Sequence, residues 1–126
     1  KYPKFINIVI EVSTLLKPID LMKILLKIEQ DLERERKNKN DPRTCDIDII
    51  DYKNESMNLK LEELQLKIPH VSMKERDFVL LPLKEICPYW SHPLTKEPID
   101  HLINNLKGKN NNITKLSQSD IINYVE

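Results

Sequence analysis

The chain is 126 residues long, the size of a single domain with one core. Its 20 lysines and arginines balance 20 aspartates and glutamates, so bulk charge singles out no polyanionic partner and only local clustering can. No apolar run approaches the roughly 20 residues that span a bilayer, and Cys45 and Cys87 lie far apart without metal-type spacing, which sets the expectation of a reduced cytoplasmic setting with no membrane contact.

Residues 5–12 are rich in β-branched and large apolar side chains with a partial period of two, the pattern of a half-buried strand. Pro18 stands at the favoured first position of a helix, and Leu21, Ile24, Leu25, Ile28 and Leu32 follow as the apolar stripe of a helix lying on a sheet. The polar, basic run from Arg34 to Asn40 lacks periodicity and is expected to be a mobile loop. Residues 44–52 restore a strand in which polar and apolar residues alternate, Asn54-Glu55 marks a turn, and a hairpin or meander is expected through Ile68. Ser72 with Glu75 matches the capping-box spacing and predicts helical turns running towards Ile86 and ending at Pro88. A second short helix is expected from Pro98 to Gly108, with Ile99, Leu102, Ile103 and Leu106 on one face. Lys1 opens the chain and Gly108 is its single glycine, so a fragment is expected, with tight loops carried elsewhere.

Asp46 and Asp48 are the most informative pair. Alternate residues of a strand share a face, so both carboxylates project together while Cys45, Ile47 and Ile49 pack behind them. Their attachment points lie about 6.6 Å apart at roughly 3.3 Å per residue, and two anions at that spacing repel by about 2.5 kcal/mol at an effective dielectric near 20. A cation between them removes the penalty, and hard oxygen ligands favour magnesium completed by water and substrate phosphates. A solvated strand face is the bland alternative. Arg43 enters just before the pair, and Arg34, Arg36, Lys37 and Lys39 lie on the preceding loop. Acidic floor and basic rim suit a metal-bound polyphosphate, although a basic run is also the ordinary solvated end of a helix. Phe5 and Phe78 read as core packing, and His70 as a satisfied surface histidine, unless something else assigns them. Trp90, Tyr89 and His92 read as packing.

The run Arg34-Glu-Arg36, a gap, and Asp41-Pro-Arg43-Thr-Cys-Asp46-Ile-Asp48-Ile-Ile resembles the R-x-R and G-P-R-T-x-D-x-D-I signature of the 6-hydroxymethyl-7,8-dihydropterin pyrophosphokinases. Ile68-Pro-His70 followed by Met73-Lys-Glu-Arg76-Asp-Phe78-Val-Leu-Leu-Pro82-Leu is similar to the family's V-P-H and M-x-x-R-x-F-x-L-x-P-L block. Pro3-Lys-Phe5-Ile-Asn7 resembles its P-x-[YF]-x-N segment. The three blocks occur in family order; the family glycine before Pro-Arg-Thr is Asp41 here.

The resemblance implies an α+β fold, a ferredoxin-like α/β sandwich with helices on a mainly antiparallel sheet, in one domain over residues 1–126 whose first strands and first helix are missing. It implies transfer of pyrophosphate from ATP to the pterin hydroxymethyl group in folate biosynthesis, giving AMP. Asp46 and Asp48 are then expected to hold two magnesium ions. Glu29, Arg34, Arg36, Arg43, His70 and Arg76 are expected to contact ATP, with Arg34 and Arg43 also catalytic, and Phe5, Asn7, Asp46 and Phe78 to bind the pterin. A monomer without nucleic-acid partners is expected, poorly stable and weakly active on its own. The alternatives are a nucleic-acid-binding module using residues 34–39 and a different D-x-D transferase, which salt-sensitive RNA binding and absence of pterin binding, respectively, would favour.

Overall fold

The computed structural model describes residues 5–34, 45–106 and 113–117. Among these, helix α1 spans Pro18–Glu33, strands β1 and β2 span Met57–Leu61 and Leu64–Ile68, a 3₁₀ turn spans Met73–Glu75, and helices α2 and α3 span Asp77–Ile86 and Ile99–Asn104. It is a small α+β arrangement with a two-stranded antiparallel sheet, and no described helix is long and apolar enough to cross a membrane.

The α1 helix begins where Pro18 predicts, because proline sacrifices only an N–H that has no partner in the first turn. None of its residues is fully buried. Leu21, Met22, Leu25, Leu26 and Glu29 are half-buried, whereas Ile24 and Ile28 of the expected stripe face solvent. The helix therefore turns its inner side about one residue further round than the stripe suggests.

The hairpin is set by local chemistry at both ends. Asp51 Oδ2 accepts the Asn54 N–H at 3.2 Å, and Lys53 and Asn54 both take positive φ, closing the turn that leads into β1. β1 and β2 then pair from Met57 with Ile68 to Leu61 with Leu64, and Glu62 reverses the chain at φ 55. Burial alternates along β2, with Leu66 and Ile68 inside and Gln65 and Lys67 outside.

Two expected strands do not form ladders. Neither residues 5–12 nor residues 44–52 pair within the described part of the sheet; Thr44 itself lies outside the described residues. The period-two pattern survives in burial, since Cys45, Ile47 and Ile49 are half-buried while Asp46 and Asp48 are exposed. A strand needs an adjacent backbone as well as a pattern, and here Ile47 N–H bonds to a side chain, Glu29 Oε2, at 2.5 Å.

The expected capping box also fails. Ser72 precedes the 3₁₀ turn without a side-chain cap bond, and Arg76 adopts extended backbone that separates the turn from α2. The second short helix stops at Asn104, and Gly108 lies outside the described residues.

The core sits between α2, α3 and the loop joining them. Met73, Val79, Leu80, Leu83, Trp90, Ile99, Leu102 and Leu106 form one buried cluster, and Val9 and Ile50 reach it from the two unpaired segments. Beside this contact the Cys87 thiol lies 3.9 Å from Glu11 Oε2. Burial, together with that carboxylate and Asp51, pushes the thiol above its ordinary pKa.

Candidate active site

An open cleft of about 730 Å³ lies between α1, residues 46–49, β2 and the turn after it. Glu29, Asp46, Asp48, His70 and Arg76 all line it. These five candidates come from three separate stretches of chain, and the fold brings them to one place.

Asp46 and Asp48 share the solvent-facing side of their segment and both open on the cleft. Arg76 Nη1 stands 3.9 Å from Asp48 Oδ2, at the outer limit of an ion pair and half-exposed, so the contact orients more than it stabilises. The guanidinium also lies 5.6 Å from the centre of the Phe78 ring, within cation–π range. Arg76 thus links an acidic pair member to an aromatic face, and its extended backbone is what carries it there.

His70 has a defined hydrogen-bonding role. Its Nδ1 accepts the Ser72 N–H at 3.1 Å, so in the neutral ring the proton resides on Nε2, which is a donor. Glu29 uses one carboxylate oxygen on the Ile47 N–H. It fixes the acidic segment against α1 from within the cleft.

The remaining candidates divide. Phe78 is half-buried against the core and meets the cleft only through Arg76. Phe5 is 85% exposed and Asn7 is exposed; neither lines the cleft, and no aromatic sandwich of Phe5 with Phe78 is formed. Arg34 is exposed at the end of α1, 3.8 Å from Asp31 of its own helix, and it too lies off the cleft. Arg36 and Arg43 lie outside the described residues.

Lys67 and Gln65 line the cleft without having been singled out. The signal was present in the alternation of Leu64-Gln-Leu-Lys-Ile, which puts both on one face of β2. Lys67 adds a point charge to the cleft wall.

The described residues contain no cage of three or more histidine, cysteine or acidic groups, whereas two carboxylates share an open cleft wall. Few protein oxygens beside a roomy, cation-rimmed cleft fit an ion that keeps waters and takes phosphate oxygens, as magnesium does.

Comparison with known proteins agrees with the motifs. A family profile described as 7,8-dihydro-6-hydroxymethylpterin-pyrophosphokinase matches residues 1–88. The chain is 42% identical over 101 residues to a 2-amino-4-hydroxy-6-hydroxymethyldihydropteridine pyrophosphokinase of Synechocystis sp., covering 80% of this chain and 50% of the relative. Its counterpart in Aquifex aeolicus is 39% identical over 95 residues, covering 75% and 57%. The folic acid synthesis protein FOL1 of Dictyostelium discoideum is 48% identical over 89 residues, covering 71% of this chain and 13% of that protein. The chain spans little more than half the length of these curated relatives at most. With the profile matching well over half of its residues, this chain belongs to the 7,8-dihydro-6-hydroxymethylpterin-pyrophosphokinase family.

Proposed function

We propose that the chain carries the phosphate-binding and acidic part of an enzyme that transfers pyrophosphate from ATP to 6-hydroxymethyl-7,8-dihydropterin in folate biosynthesis. The observation that carries this reading is the convergence of Glu29, Asp46, Asp48, His70 and Arg76 on one cleft, within the stretch matched by the family profile. The same reading includes a single monomeric domain completed as a ferredoxin-like sandwich.

In the reaction the hydroxymethyl oxygen bonds to the β-phosphorus of ATP, the bond from that phosphorus to the α–β bridging oxygen breaks, and AMP leaves. Phosphoryl-type transfer gives a protein little covalent work, so positioning and charge neutralisation dominate. Asp46 and Asp48 would hold two magnesium ions. When bound, these supply Lewis-acid neutralisation of the phosphate charge. Arg76 grips phosphate oxygens from beside Phe78, and His70 donates through Nε2. Because Nδ1 is taken by the Ser72 N–H and Nε2 carries the proton of the neutral ring, His70 acts as a phosphate ligand rather than a base. Lys67 adds charge from β2. Arg34, Arg36 and Arg43 would neutralise triphosphate charge, and Phe78, with Asn7 and Phe5 brought in from outside the cleft, would take the pterin.

AMP release by the whole chain, with ATP, magnesium and the pterin alcohol, tests the assignment. Slow, pterin-dependent release is expected, and Asp48→Asn should lower it about a hundredfold, the scale set by losing several kcal/mol of charge stabilisation. Release that ignores the pterin, or survives this substitution, would overturn the reading.

A further inference from the structure

Most of the loop between α2 and α3 lies beyond the stretch that the family profile matches, yet it bonds to the segments that carry Asp48 and Arg76. At one end the Trp90 Nε1–H donates to Asp51 Oδ1 at 2.9 Å, and Asn54 Nδ2 donates to the Ser91 carbonyl at 2.9 Å. Asp51 is three residues beyond Asp48. At the other end Lys74 Nζ donates to Glu97 Oε1 at 2.7 Å, and Lys74 is two residues before Arg76. Neither Trp90 nor Glu97 lines the cleft.

The loop is closed by hydrogen bonds of its own. His92 is buried and its Nδ1 accepts the N–H groups of Leu94 and Thr95 at 3.2 and 3.3 Å. Its own N–H donates to the Glu97 carbonyl at 2.9 Å, and the Ile99 N–H donates to the Trp90 carbonyl at 2.9 Å. Trp90 and Ile99 are themselves core residues. Two arms of one closed loop therefore fix the acidic segment relative to the 70–76 turn, which is the spacing that Asp48 and Arg76 span.

We propose that Asp51, Trp90, Lys74 and Glu97 are positioning residues, a clamp that sets the separation of the carboxylates from Arg76 and His70 and thereby the affinity of the cleft for magnesium-bound nucleoside triphosphate. The inference rests on the function proposed above. Supporting groups behind a charged site commonly change its affinity about tenfold or more when removed.

Calorimetric titration of the whole chain with magnesium ATP, alongside thermal melting, tests the clamp. Asp51→Ala and Glu97→Ala are each expected to weaken binding about tenfold, and Asp51→Asn, which keeps an acceptor for Trp90, to restore most of it. Trp90→Phe keeps the packing and removes only the N–H donor, so it should weaken binding while melting close to the parent. The paired reversal Lys74→Glu with Glu97→Lys should bind better than Glu97→Lys alone. Trp90 is the only tryptophan, and its emission should shift on addition of magnesium ATP to the unsubstituted chain. If that chain binds and every variant binds equally well, the loop is only a cap on the core and the clamp is wrong. A folded parent chain that does not bind magnesium ATP at all removes the site reading and the clamp together.

Discussion

Residues 70–106 and residues 5–33 are both rich in large apolar side chains, but they use them differently. In the first stretch Met73, Leu80, Ile99 and Leu102 are essentially inaccessible, because two helices and a hydrogen-bonded loop close around them. In the second, Ile6, Ile8, Ile10 and Val12 stay exposed along an extended segment, and Ile24 and Ile28 along a helix. Helical hydrogen bonds are local, so α1 forms without burying a residue completely. A strand draws its hydrogen bonds from elsewhere in the chain, so residues 5–12, without a ladder among the described residues, leave every side chain but Val9 exposed. Apolar pattern therefore marks a segment that can bury side chains, and tertiary contact decides which of them are buried.

The contrast can be broken most directly at its most buried point. Leu80→Ala should destabilise the chain by about 2–5 kcal/mol, read as a shift in the urea midpoint; a loss under about 1 kcal/mol would mean that the α2–α3 core is not what holds the chain together. A pH effect comes next. Burial, and then the Lys74 charge, hold His92 below its usual 6.5, with Glu97 opposing them. An unfolded chain thus takes up the proton first as acidity rises. Stability from this group is complete above about pH 6.5 and is lost as pH falls through the lower folded value. His92→Asn, which offers an amide oxygen in place of Nδ1, should flatten the melting temperature between pH 6.5 and 5, and an unchanged slope would assign it to other groups. At the hairpin, Glu62 sits at φ 55, where glycine pays no side-chain penalty; Glu62→Gly should stabilise by up to about 1 kcal/mol. The smallest effect belongs to the exposed helix face: Ile24→Gln and Ile28→Gln should each fall within about 0.5 kcal/mol of the parent. A larger loss would show that this face is covered in solution.

Much of the site was legible from residue order. Asp46 and Asp48 were readable because a period of two is intrinsic to extended backbone, paired or not, and the motif spacing pointed to His70 and Arg76. The α1 start and the turn near Asn54 were readable because Pro18 and the Asp51–Asn54 contact act over a few residues, whereas the reversal at Glu62 that makes the β1–β2 hairpin was not singled out. What stayed hidden depends on distance in space. Lys67 joins the cleft only because β2 lies beside the acidic segment, and the 90–98 loop is tied to Asp51 and Lys74 across more than twenty residues of chain. The capping box at Ser72 misled because Arg76 leaves helical geometry in the conformation that reaches Asp48. Phe5 carries a family motif, but its neighbours in the described structure do not bring it to the cleft.

The contact between Cys87 and Glu11 has a practical use. A thiol held protonated by burial and a nearby carboxylate offers little thiolate to an alkylating reagent. Separation of residues 5–12 from the core would remove that carboxylate and uncover the sulfur, so the rate of maleimide modification at Cys87 becomes a clock for the detachment of this segment.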